Sequence, residues 1–240
     1  MRFASGGRTL MGEILERKFF GRRSVRLWSE SGEPVEGLID AIGHVPLPPY
    51  IKRTDEPGDR ERYQTVYAKT RGSVAAPTAG LHFSEHLLTA LERRGVQFVE
   101  VTLHVGYGTF KPVRTEAVEE HIVDPERYTI SPAAAEAINL AKRERRRVIA
   151  VGTTTTRALE NSARGGAEVV AGDGEASIFI YPGFDFRIID GLLTNFHLPK
   201  SSLLMLVAAF AGRDRILAAY RQAVELRYRF YSYGDAMLIA

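Results

Sequence analysis

Cysteine is absent from the 240 residues, which removes disulfides, thiol nucleophiles and thiolate metal sites together. The six histidines are scattered without metal-ligand spacing such as His-Glu-x-x-His, so no metal is expected. Long apolar runs are also missing. The best uncharged stretch, residues 203–211, is far too short to cross a bilayer. The opening Met-Arg-Phe-Ala-Ser-Gly-Gly carries no apolar signal segment, so a cytoplasmic location is expected. There is no internal repeat and no low-complexity segment. Nor is there an acidic excess: the net charge is +3 and the sequence pI about 9.1. That balance admits an anionic partner without requiring one.

What is present is an ordinary globular composition, 45% hydrophobic and 25% charged. Residues 9–20, 24–28 and 35–39 read as short strands, with the turn-forming Ser29-Glu-Ser-Gly-Glu-Pro34 between the last two. Three strands alone leave open edges and a bare face, so this portion reads as part of a larger β unit. From Pro46-Leu-Pro-Pro-Tyr50 the character changes, because each proline fixes its own φ and restricts the residue before it. Helical and strand patterns then alternate. Ser84 caps a helix to about Arg94, and residues 98–105 read as a strand. Ser131-Pro132 opens a helix to about Arg146. Residues 148–151, 177–181 and 188–193 read as strands. Ser201 caps an apolar helix, and residues 214–229 form the last one. The expected fold class is therefore α/β, a mainly parallel sheet with flanking helices, plus an incomplete antiparallel β-barrel portion at the N-terminus. The expected division is 1–45 for the barrel portion and 46–240 for the α/β catalytic domain. Ligands in such a sheet sit beyond the C-terminal strand ends.

Five loops carry polar groups where such a site would form. Gly72-Ser-Val-Ala-Ala-Pro-Thr-Ala-Gly-Leu-His82 lets backbone approach a ligand and places a histidine before a helix; a tight structural loop would look the same. In Leu103-His104-Val-Gly-Tyr107-Gly-Thr-Phe110, two glycines flank an aromatic suited to a planar or cationic group, or simply kink a strand end. Gly152-Thr-Thr-Thr-Thr-Arg157-Ala-Leu-Glu160 follows a strand and offers hydroxyls and free N–H groups to an anion. The ordinary alternative there is a threonine-capped helix with an Arg157–Glu160 surface pair. Asp190 to Ser202 places Asn195, His197 and Lys200 near one sheet end. Tyr228-Arg-Phe-Tyr-Ser-Tyr233-Gly-Asp235 interleaves aromatics with arginine, which suits base stacking or plain docking of a terminal segment. The basic run Lys142-Arg-Glu-Arg-Arg-Arg147 reads as a solvated helix end.

Taken in order, seven stretches are no longer generic. They are Pro46-Leu-Pro-Pro-Tyr-Ile-Lys-Arg53, Arg62-Tyr-Gln-Thr-Val-Tyr67, Ala75-Ala-Pro-Thr-Ala-Gly-Leu-His-Phe83, Thr102-Leu-His-Val-Gly106 with Gly108-Thr-Phe110, Val151-Gly-Thr-Thr-Thr-Thr-Arg-Ala-Leu-Glu160, Leu193-Thr-Asn-Phe-His-Leu-Pro199, and Tyr228-Arg-Phe with Ser232-Tyr-Gly-Asp-Ala-Met237. Together they resemble the S-adenosylmethionine:tRNA ribosyltransferase-isomerases of queuosine biosynthesis. Members of that family are longer at the N-terminus, so Met1 here falls inside what resembles their inserted barrel. They also usually carry a second histidine where this chain has Asp124.

The resemblance implies a transferase that moves the ribosyl part of S-adenosylmethionine onto 7-aminomethyl-7-deazaguanine at the tRNA wobble position and isomerises it. Epoxyqueuosine-tRNA forms; adenine and methionine leave. S-adenosylmethionine is then a substrate, with no other cofactor and no metal, and tRNA is the partner of a chain expected to be monomeric. The sulfonium acidifies the ribose C5′ proton, departing adenine needs a proton donor, and the wobble base must be splayed into a pocket. On this basis His82, His104 and His197 are acid–base candidates and Asp235 an orienting acid. Thr153, Thr154, Thr155 and Thr156 with Arg157 would hold the methionine carboxylate. Tyr107 or Tyr233 would lie on adenine or the sulfonium, and Asn195 would touch substrate. Two other classes compete: a catalytically inactive tRNA-binding remnant, and an unrelated nucleotide-handling α/β enzyme that ignores tRNA.

Overall fold

The computed structural model describes residues 1–18, 23–48, 50–106, 113 and 115–240. The chain divides into two units, Met1–Pro57 and Gly58–Ala240.

The first unit is an antiparallel meander of β1 (Arg2–Ser5), β2 (Arg8–Arg17) and β3 (Arg23–Trp28). Ser5 pairs with Arg8 across Gly6-Gly7, whose φ values of 56° and 77° suit the tight turn that matches strand twist. Among the described residues this sheet is open, not a closed barrel. The third strand expected at 35–39 is instead a helix, α1 (Val35–Ile42), packed against β2. Val35, Leu38, Ile39 and Ile42 fall at i, i+3, i+4 and i+7, a helical stripe that buries Leu38. Reading only the first five residues conceals that period.

The second unit contains two three-stranded sheets. In one, β4 (Thr102–His104) and β7 (Gly172–Ala176) flank β5 (Glu126–Ile130), all antiparallel. In the other, β8 (Gly191–Asn195) lies between β6 (Ile149–Val151) and β9 (Ala236–Ile239). Among the described residues only β6 and β8 are parallel, joined through α5 (Thr153–Ser162) and β7; β9 returns antiparallel to β8. The mainly parallel sheet expected from alternating patterns is thus corrected to mostly antiparallel pairing in small sheets. Alternation of strand and helix signals does not specify which strands become neighbours.

The strand expected at 177–181 is also displaced. Ile178 and Ile180 are buried, so the alternation is real, but the ladder to β5 is formed by the preceding Gly172–Ala176. The other helices are α2 (Asp59–Arg62), α3 (Glu85–Glu92), α4 (Pro132–Arg143), α6 (Ser202–Ala211) and α7 (Arg213–Glu225), with a 3₁₀ turn at Thr78–His82. Ser84, Ser131 and Ser201 each cap a helix, accepting from the backbone N–H three residues on. Helices α4 and α7 end earlier than their apolar patterns suggest. Arg145 and Arg227 adopt φ of 57° and 58°, and the next N–H groups close back on Ala141 and Ala223. The core joins Ile130, Ile138, Ala150, Leu159, Ile188, Leu192, Leu206 and Ile216 from both sheets and their helices.

Candidate active site at one end of the β6–β8–β9 sheet

Because β6 and β8 run parallel, both end at the same edge, and β9 begins there. Val151 pairs with Leu193, and Asn195 pairs with Ala236. Gly152, Asn195 and Asp235 are therefore gathered at one sheet end from three distant stretches of chain. The 3₁₀ turn closes over it: a Cβ on Gly152 would stand 3.5 Å from the Ala79 Cβ.

His82, the last residue of that turn, is held from the sheet. Asn195 Nδ2 lies 2.9 Å from His82 Nε2, and Thr78 Oγ1 donates to Asn195 Oδ1 at 3.2 Å. With the amide donating, Nε2 accepts and Nδ1 carries the ring hydrogen. Burial lowers the His82 pKa; Asp235 opposes that and Arg229 reinforces it. Asp235 is itself clamped, accepting from Arg229 N at 2.7 Å and Arg229 Nη2 at 2.9 Å. Those hydrogen bonds hold its carboxyl below the usual carboxylate range.

Helix α5 opens beside the turn with Gly152 at φ 93° and no side-chain cap, so its first N–H groups lack intrahelical acceptors. The four threonines do not act alike. Thr155 and Thr156 turn their hydroxyls back onto Val151 O (2.7 Å) and Gly152 O (3.1 Å), while Thr153 and Thr154 are buried in the first turn. Arg157 points into the interior. Its Nε donates to Ile178 O (3.1 Å), Nη1 to Glu126 (2.9 Å), and Nη2 to Ala176 O (2.7 Å) and Asp124 O (3.2 Å). The Arg157–Glu160 surface pair is not formed either. Glu160 is buried and accepts from the N–H groups of Arg187, Ile188 and Ile189. Asp124 meets Arg157 through its carbonyl at 3.2 Å, and its carboxylate also favours the charged guanidinium.

The other histidines are set apart. His104 ends β4, and among the described residues its buried Nδ1 has no hydrogen-bond partner. Gly72, at φ 135°, presses on that ring; a Cβ there would come 2.8 Å from Nδ1. Ser73 stitches the same loop to the strand, accepting from Val105 N at 2.7 Å. His197 lies inside, 9% exposed, with Nε2 3.0 Å from Thr194 Oγ1 and its backbone N–H on the Tyr220 hydroxyl. Burial takes its pKa from 6.5 to about 4. An NMR titration is expected to show the ring neutral down to about pH 4. Because the folded value lies below the unfolded one, the associated stability is complete above pH 6.5 and lost as pH falls towards 4, worth about 3 kcal/mol. A His197 resonance that titrates near pH 6.5 would contradict this environment.

Tyr107 lies outside the described residues. Tyr233 sits two residues before Asp235, its ring edge-on to Tyr63 and its hydroxyl on Asp59. Sequence reasoning did not single out Thr78, Glu126 or Asp59. Their partners lie 117, 31 and 174 residues away, beyond any local period. Among the described residues, no cluster of His, Asp and Glu could hold a metal ion, and no helix is long and apolar enough to cross a membrane.

A histidine held by an amide beyond the ends of two parallel strands, beside an uncapped helix start, is the arrangement of a candidate ligand site at a strand end. A family model described as queuosine biosynthesis protein matches residues 2–239. Relatives named S-adenosylmethionine:tRNA ribosyltransferase-isomerase include one from Geobacter metallireducens, 53% identical over 98% of this chain and 69% of its own. Another, from Carboxydothermus hydrogenoformans, is 57% identical over 99% of this chain and 68% of its own. A solved S-adenosylmethionine tRNA ribosyltransferase from Thermotoga maritima superposes with a TM-score of 0.55 at 35% identity, covering 96% of this chain and 62% of that one. The chain belongs to the queuosine biosynthesis family of S-adenosylmethionine:tRNA ribosyltransferase-isomerases, and spans roughly two thirds of the length of these relatives.

Proposed function

We propose that this chain is a cytoplasmic transferase that moves the ribosyl moiety of S-adenosylmethionine onto 7-aminomethyl-7-deazaguanine at the tRNA wobble position and isomerises it, releasing adenine and methionine. The relatives' names support the reaction. The observation that carries it to particular residues is His82 held by Asn195 at the sheet end.

In this reading the neutral His82 ring donates a hydrogen bond from Nδ1–H to the departing adenine and keeps its proton, because Asn195 occupies Nε2. His104 stands apart from this sheet end with its Nδ1 buried against Gly72, so the base for the C5′ proton acidified by the sulfonium is not assigned to it. His197 supports the site from within, since a ring neutral to about pH 4 and bound to Thr194 serves packing. The open N-terminus of α5, with Thr153 and Thr154, receives the methionine carboxylate. Arg157 holds the base of that helix. Asp235 orients the site edge, and Tyr233 stacks on a base. No cofactor beyond the donor substrate enters the scheme, and the chain acts as a monomer on tRNA.

The test is incubation with S-adenosylmethionine and tRNA carrying the precursor base. Adenine and methionine are expected in equal amounts, with no methyl group on the RNA. Methylated RNA without adenine release would overturn the reaction. Tight tRNA binding with no donor binding would favour an inactive RNA-binding protein.

A further inference from the structure

Asp59 lies outside every stretch that resembles the family, yet it is a carboxylate only 3% exposed. It opens the short helix α2, and it accepts a hydrogen bond from the Tyr233 hydroxyl at 3.2 Å. Tyr63, just after that helix, meets the Tyr233 ring edge-on, with centroids 5.6 Å apart and planes at 61°. The base of Tyr233 is fixed independently by the loop that carries it. Asp235 N donates to Arg229 O at 2.7 Å, Gly234 N to Tyr231 O at 3.0 Å, and Tyr231 N to Phe196 O at 3.1 Å. Gly234 permits this closure, since a Cβ there would collide with the backbone of Arg229 and Phe230. Tyr233 is therefore held at its backbone, its edge and its tip, yet the residue is still 36% exposed. Core packing does not require so many restraints on a half-exposed ring. A stacking surface does, because a fixed ring loses little entropy when a planar ligand covers it.

We propose that Asp59 is a positioning residue that holds Tyr233 as a stacking wall for a purine-type base at the edge of the site. The proposal rests on the activity reading above for its ligands. Two sources share the chemistry, the adenine of S-adenosylmethionine and the deazaguanine of the tRNA. The carboxylate acts through Tyr233 and touches neither.

The experiment measures affinity for S-adenosylmethionine and, separately, for tRNA carrying the precursor base, in the full chain. Tyr233→Ala is expected to weaken one of them about 5- to 100-fold, the range for losing one stacked base. Asp59→Ala should weaken the same ligand about 2- to 10-fold, as a misplaced aromatic contact does. Asp59→Asn keeps an acceptor oxygen and should restore binding. Tyr233→Phe removes only the hydroxyl, leaves the fold intact, and should match Asp59→Ala. In the Tyr233→Ala background, Asp59→Ala should cost nothing more.

Loss confined to the donor assigns the wall to adenine; loss confined to the RNA assigns it to the wobble base. Unchanged affinity for both ligands in Tyr233→Phe would overturn the proposal, as would an Asp59→Ala penalty that persists without Tyr233. A wild-type chain that binds neither ligand would overturn the activity reading along with it.

Discussion

Replacing Arg157 with alanine is expected to destabilise the fold by about 3–5 kcal/mol, the usual cost of removing one partner from a buried ion pair. The guanidinium and Glu126 are both buried, 2.9 Å apart. The variant would leave the carboxylate enclosed beside three carbonyls that had shared its cation. Against a total stability of about 5–15 kcal/mol for an ordinary domain, that is a large fraction. Removing both charges together, as Arg157→Leu with Glu126→Leu, should recover much of the loss, because desolvating the pair was itself costly. Urea midpoints for the three proteins decide the matter. If instead Arg157 bound the methionine carboxylate, the alanine variant would keep its midpoint and lose about 10- to 150-fold in donor affinity. An unchanged midpoint would return Arg157 to the binding site.

That contrast shows where sequence reasoning stopped. The helix starting at Thr153 was readable from a strand followed by glycine and hydroxyl residues. The side on which Arg157 lies was not, because its partners come from residues 124–126 and 176–178. The serine caps were legible because a cap is a local hydrogen bond, complete within four residues. Sheet neighbours were not, since pairing Asn195 with Ala236 depends on chain that returns after two helices. Val35–Ile42 failed for a different reason, as short apolar runs satisfy both periods until a full turn is counted. The motif loops were each ambiguous alone. The fold resolves them by convergence, placing His82, Gly152, Asn195 and Asp235 at one sheet end, although Asn195 and His82 are 113 residues apart.

Replacing His82 with alanine is expected to lower kcat by about 10²- to 10³-fold, the range for losing a positioned hydrogen-bond donor to developing charge, with the fold retained. The side chain sits at the mouth of the site and packs little core, so a stability loss would be minor beside that effect. Its pH dependence follows from the lowered pKa. The neutral ring persists below the 6.5 of a free histidine, so activity should hold at neutral pH and fall only on the acid side of that value. Protonation there would set an Nε2–H against the N–H of Asn195. Asn195→Asp reverses this opposition, since a carboxylate facing Nε2 favours the imidazolium. The acid limb of the rate profile should then move to higher pH while the donor KM changes little. His197→Gln, altered inside the fold, should shift stability and leave that limb in place. If Asn195→Asp leaves the limb unmoved, the amide does not control the His82 ring, and the assignment of His82 as the titrating group fails with it.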